Sequence, residues 1–185
     1  MKWLLVQALG FVGFAMFILS YQVKSNKLLY FFQTAANGLF VIHFILLGTP
    51  AGGVGSMLTT IRNGMLVKYN DWKWVQWKGW VVVFSIVSIT LTALTWKNIL
   101  SLFAAIGTIS STIAYWTNNA RTIRATNLFC ASPAWFIHNA GNGSISGAAS
   151  DAFTMISVIV SIYRFGWDAL ADNDFDRKKG SENGK

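Results

Sequence analysis

Charged residues are scarce in this 185-residue chain, at 12% of it, against about 25% in an average soluble domain. Mean hydropathy is +0.45. Such a chain cannot cover a water-facing surface with polar groups, which excludes an ordinary soluble globule and predicts a bilayer protein. Acids are scarcer than bases, with 7 Asp and Glu against 15 Lys and Arg and a net charge of +8. The bases sit singly between apolar runs and form no patch, so a nucleic-acid partner is excluded despite the positive balance. There is 1 cysteine, Cys130, hence no disulfide framework and no cysteine metal site. The 2 histidines form no His-Glu-x-x-His pair, and neither a metal nor a cofactor is expected.

What the chain has is apolar runs and tryptophan. The runs span about Trp3–Leu19, Leu28–Leu47, Gly52–Tyr69, Gly79–Leu94, Ile99–Trp116, Ala125–Ala140 and Ile145–Phe165. A bilayer span takes ~20 residues, with ~17 as the lower limit. Seven such spans use most of the chain and leave only short loops. The third and sixth are short and polar, and need protein neighbours more than lipid. Residues 1–20 read as a span and not as a cleaved leader, because no small-x-small site precedes Tyr21. Of the 9 tryptophans, Trp72, Trp74, Trp77 and Trp80 alternate with Lys73 and Lys78, the composition of an interfacial anchor.

The chain also repeats itself. Phe40–Gly52 and Trp135–Gly147 both read aromatic, any residue, Ile-His, four residues, Gly, three residues, Gly. His43 and His138, the only 2 histidines, fall together in this frame at a spacing of 95, as do Gly48 with Gly143 and Gly52 with Gly147. Thr59 with Thr154 and Ile61 with Ile156 keep the spacing of 95, whereas Gly13 with Gly107 and Tyr21 with Tyr115 lie 94 apart. Spans one to three therefore match spans five to seven, and span four is a linker. One extra span between two triplets puts both the same way up, as parallel repeats about an axis along the membrane normal.

Orientation follows from Lys and Arg. The connections after spans one, three, five and seven hold Lys24, Lys27, Lys68, Lys73, Lys78, Arg121, Arg124, Arg164, Arg177, Lys178, Lys179 and Lys185, and Arg62 lies on the same side. The other side holds Lys2 and Lys97. The amino terminus then faces out and the carboxyl terminus the cytoplasm, which requires an odd number of spans. The expected architecture is an all-α polytopic protein of seven transmembrane helices, N-out and C-in. Residues 1–71 form the first repeat, 72–97 the aromatic anchor and linker helix, 98–167 the second repeat, and 168–185 a disordered cytoplasmic tail.

Over nearly all of residues 3–165 the chain resembles the bacterial inner-membrane YgjV family. Val41-Ile42-His43-Phe44, Leu46-Leu47-Gly48, Pro50-Ala51-Gly52, Ile61-Arg62, Gly107-Thr108-Ile109, Trp135 to Asn139, Gly143-Ser144-Ile145 and Arg164-Phe165 carry the resemblance. It implies an inner-membrane location and no particular activity. The three-one-three layout is also similar to that of the SWEET and PQ-loop carriers of sugars and amino acids. Gln22 stands where their Pro-Gln turn has its glutamine, but Tyr21 replaces the proline, so no hinge role carries over.

The residues able to carry chemistry are few. Up to Trp167 the carboxylates are Asp71, in a loop, and Asp151, in an apolar span. A charge near the bilayer centre costs ~3 kcal/mol and must face a cavity, a partner or interface water; for Asp151 these readings stay open. Arg62 either pairs with Asp151 or, preferred here, snorkels to the headgroups. His43 and His138 either line a site for a polar solute or bond backbone carbonyls in the core. Trp135 and Asn139 share a helix face, which suits gripping a sugar ring, and Pro133 would kink that helix and free a carbonyl. The glycine pairs 48/52 and 143/147 read as tight outer turns. The expected site is a polar pocket between the triplets, walled by Asn37, His43, Asn127, Trp135, His138, Asn139 and Asp151. It would serve a small neutral polar, sugar-like solute by alternating access, with the lipid bilayer as the other partner; self-association is left open. Two other readings stand beside it. A non-transporting assembly or regulatory membrane protein is one. An enzyme is the other, and it is not expected, because no Gly-x-Ser-x-Gly frames Ser144 or Ser146.

Overall fold

A computed structural model describes residues 2–167; the tail expected at 168–185 lies outside them. The described residues are all-helical, with no strand among them. The helices are α1 (Lys2–Gln22), α2 (Asn26–Leu47), α3 (Pro50–Leu66), α4 (Gly79–Leu94), α5 (Leu100–Tyr115), α6 (Ala120–Thr126), α7 (Ser132–Gly141) and α8 (Ile145–Phe165). A π turn, Asn127–Ala131, joins α6 to α7 without a break, so residues 120–141 form one rod and the rods number seven among the described residues. A short 3-10 turn, Lys73–Gln76, precedes α4. Three helices are long and apolar enough to cross a membrane: Trp3–Gln22, Asn26–Leu47 and Ile145–Phe165.

The breaks between rods have local causes. Gly48 and Gly143 end α2 and α7 at φ +75° and +73°, a left-handed conformation open to glycine without strain. Pro50 opens α3, where its missing N–H costs nothing. Only the first glycine of each expected turn pair is in a turn. Gly52 and Gly147 lie inside α3 and α8, and a Cβ on Gly52 would sit 2.8 Å from His138 Nε2.

Six rods close into a ring. α1 packs on α2 and α8, α2 on α3, α3 on α5, α5 on α7, and α7 on α8, while α4 stands outside against α3 and α5. Leu4, Leu5, Ile45, Leu46, Val82 and Ile86 are exposed on the outer faces. Gln33, Asn63, Arg62, Arg124, Thr108 and Ser161 are buried inside. An apolar exterior around a polar interior is what a lipid solvent selects.

Two ends of the ring can be told apart by their side chains. At the histidine end, where α2 and α7 finish, His43 Nδ1 lies 2.9 Å from Val6 O of α1 and His138 Nδ1 lies 2.9 Å from Leu100 O of α5. At the tyrosine end, where α1 and α5 finish, the Tyr21 and Tyr115 hydroxyls approach to 3.4 Å.

Candidate functional site

The ring surrounds a cavity of ≈ 70 Å³. All six rods line it. Phe44, Trp135, Asn139 and Asp151 surround the histidine end; Tyr21, Gln33, Arg62, Tyr115 and Asn127 surround the tyrosine end. Asn37, Ser56, Thr59, Ser111 and Thr154 lie on the wall between.

Small residues let the large ones in. A Cβ on Gly55 would meet Trp135 Cη2 at 2.8 Å, and one on Gly107 would meet Trp135 Cδ1 at 2.5 Å. The indole therefore lies against the backbones of α3 and α5, with its other face stacked on Phe44 at 6.1 Å and 21°. Asp151, half-buried on α8, accepts a 2.7 Å hydrogen bond from Asn139 Nδ2 through Oδ2. Ser56, 95 positions earlier, lines the same cavity.

Of the residues expected from sequence, Asn37, Asn127, Trp135, Asn139 and Asp151 meet in this cavity, and the two histidines stand behind its wall. A carbonyl can only accept, so each Nδ1 carries the hydrogen and each neutral ring offers Nε2 as acceptor. His43 Nε2 takes the Ser144 hydroxyl at 2.8 Å. His138 Nε2 is buried with no hydrogen-bond partner among the described residues. Asp151 is bonded to Asn139 and not to His138, so no direct proton path joins that acid to that imidazole.

Arg62 departs from its expected place. It does not snorkel: it is 1% exposed. Its Nε donates to Asn63 Oδ1 at 3.0 Å, and its Nη1 to Ser111 Oγ at 2.8 Å and Thr112 Oγ1 at 3.1 Å. The guanidinium lies 4.4 Å from the centre of the Tyr115 ring. All these partners are neutral. The ion pairs among the described residues are Lys27–Asp71 and Lys68–Asp71, both at the surface, so Arg62 does not pair with Asp151 either. The reason lies in α3: Gly55, Thr59, Arg62 and Leu66 recur at helical spacing and are all buried, so the face that carries Arg62 is the ring's interior and points away from lipid. Arg124, also missed, is fully buried, with Nε donating to Ser161 Oγ at 2.8 Å and Nη2 to Val23 O at 3.2 Å. The alternation of small and polar residues along α3 and α8 is the signal that could have found this wall.

A second cavity, ≈ 300 Å³, opens beyond the tyrosine end among Asn26, Lys27, Tyr30, Tyr69, Asp71 and Asn118. A thin layer separates the two. Tyr30 Oη donates to Asn118 Oδ1 at 2.9 Å, the Tyr30 and Tyr115 rings lie 5.7 Å apart, and Tyr115 Oη donates to Gln33 Oε1.

Comparison with known proteins now bears on this arrangement. Residues 4–168 match the family model Imp-YgjV, described as bacterial inner membrane protein. The chain belongs to that family. It is similar to "Inner membrane protein YgjV" of Escherichia coli (strain K12), at 25% identity over 161 residues, covering 87% of this chain and 84% of the relative. No solved structure matches. Family membership makes the chain a bacterial inner-membrane protein, in keeping with its apolar exterior.

Proposed function

We propose that the chain is a multi-pass carrier of a small polar solute, built from two parallel three-helix repeats and working by alternating access. The observation that carries this reading is the polar cavity ringed by all six rods, with hydrogen-bonded side chains toward either end. A span bundle kept only for structure has no use for an acid, an arginine and several amides around an internal space, since each is costly at membrane depth.

The paired contacts support the repeats. His43 bonds Val6, and His138 bonds Leu100, at matching distances. A Cβ on Gly13 would press on Phe40 as one on Gly107 would press on Trp135. Phe40 and Trp135 are repeat mates, and so are the touching tyrosines Tyr21 and Tyr115. Mates in contact belong on the axis that relates them. Interfaces α3–α5 and α8–α1 then join the triplets, and rocking there would open one end while closing the other. The layer of Tyr30, Tyr115 and Asn118 serves as the inner gate, and His43 with Ser144 and Gln7 with Ser146 as the outer one. The amino terminus faces out, as the distribution of Lys and Arg argues.

An enzyme is not proposed. Ser144 and His43 do form a hydroxyl–imidazole pair, but both are buried behind the cavity wall and Nδ1 is held by a backbone carbonyl. Among the described residues no acid is bonded to the ring.

Uptake into proteoliposomes of a radiolabelled panel of sugars and amino acids tests the carrier reading. Saturable uptake of a panel member above protein-free liposomes is expected. Rates equal to protein-free liposomes across the panel would favour the non-transporting membrane protein instead.

A further inference from the structure

Arg62 and Asp151 sit in one cavity and are not partners. Arg62 makes its hydrogen bonds only to neutral groups, through Nε and Nη1; Nη2 makes none among the described residues. Asp151 uses Oδ2 on the Asn139 amide, and Oδ1 makes no hydrogen bond among the described residues. The two residues lie about six positions apart along equivalent helices, since Ser56 is the mate of Asp151, which is ~9 Å of rise. The cavity thus holds a guanidinium toward the tyrosine end and a carboxyl group toward the histidine end, with hydroxyls and amides between. A buried charge such as that of Arg62 needs an opposite charge or a dense set of hydrogen bonds. Here the guanidinium and the half-buried carboxyl each keep an unused atom, and the two are too far apart to serve each other.

Resting on the carrier reading, we propose that the solute is a small zwitterion of the amino-acid class, its carboxylate on Arg62 and its ammonium on Asp151. A guanidinium fork suits a carboxylate, and Asp151 offers the acceptor an ammonium requires. The zwitterion supplies both missing countercharges in one molecule and leaves the cavity neutral. A neutral sugar supplies neither.

The test is uptake of four radiolabelled probes, L-alanine, glycine betaine, acetate and glucose, by the full chain in proteoliposomes. Wild type should take up alanine, with or without glycine betaine, and neither acetate nor glucose. Asp151→Asn removes the anion and keeps the shape. Alanine uptake should then fall by about ten- to hundredfold, the effect of losing one charge-assisted hydrogen bond, and acetate uptake should appear. Arg62→Gln should abolish uptake of alanine without gaining acetate; if that variant does not fold, Asp151→Asn alone decides. Glucose or acetate taken up by wild type overturns the zwitterion and leaves the carrier standing. Unchanged alanine uptake by Asp151→Asn also overturns it. Failure of all four probes overturns the zwitterion; the sugar and amino-acid panel then decides whether the carrier falls with it.

Discussion

At the scale of single residues, Arg62 is the most informative side chain. Desolvating a cation costs several kcal/mol even after relaxation, and Asn63, Ser111 and Thr112 give it only neutral partners. Ser111 and Thr112 also donate to the Thr108 carbonyl, so neither depends on the arginine. Replacing Arg62 by Met, which keeps the length and drops the charge, should therefore leave the thermal midpoint of the purified protein unchanged or raised while uptake is lost. A clear fall in midpoint would mean that Arg62 is a structural strut. Gly107 makes the opposite kind of prediction. Gly107→Ala must displace the Trp135 indole. It should cost about 1–3 kcal/mol as overpacking, read as a lowered midpoint. The sequence marked Asp151 and Asn139 as candidates because acids and amides are rare in apolar spans, and Trp135 because it shares a helix face with Asn139; all three line the cavity. It misplaced Arg62 because hydropathy weighs a span as a whole and not face by face, and a snorkelling arginine has the same local sequence as a buried one. The histidines were marked by their shared spacing of 95, and a spacing says nothing of whether a side chain faces a cavity.

At the scale of elements, the rod over residues 120–141 differs from α2 in one respect. Mates lie 94 apart before it, as Tyr21 and Tyr115 do, and 95 apart after it, as His43 and His138 do. The rod absorbs the extra residue in its π turn, where Ser132 N–H reaches back five residues to Asn127 O. Single π turns within α-helices have this effect, and they are frequent at functional sites. Pro133 follows directly, and the wider turn makes room for its ring, which would clash with a carbonyl in a regular helix. The kink expected at Pro133 is thus a local widening. It keeps Asn127 on one side of the turn and Trp135 on the other turned to the same cavity. If this is right, deleting Phe129, 77% exposed, should be tolerated in a Pro133→Ala background and not in wild type. Expression and gel-filtration profiles of the two deletions would check it; equal loss in both would contradict it. The helix boundaries themselves were legible from hydropathy to within a few residues, except here. Arg121 and Arg124 pushed the apolar run to start at Ala125, and burial of Arg124 among neighbouring helices is a tertiary fact that a hydropathy window does not contain.

At the scale of the whole molecule, the account requires seven crossings with a fixed sense. Reporter fusions after Thr49, Lys97 and Asn142 should report outside, and those after Asn26, Trp72, Asn118 and Lys179 inside. An inside signal at Asn142 would break the seven-span arrangement. The ring of six rods with α4 outside was foreshadowed by the missing repeat mate of span four, whereas closure of the ring through α1 against α8 was not, because nothing local in either helix names its distant partner. The central claim is that the cavity opens to each side of the membrane in turn. Thr59, midway along its wall, replaced by cysteine in a Cys130→Ser background, reports this directly with a membrane-impermeant thiol reagent. Labelling from both right-side-out and inside-out vesicles is the predicted result. Labelling from one face only, or from neither, would contradict alternating access and leave a static membrane protein with an internal polar pocket.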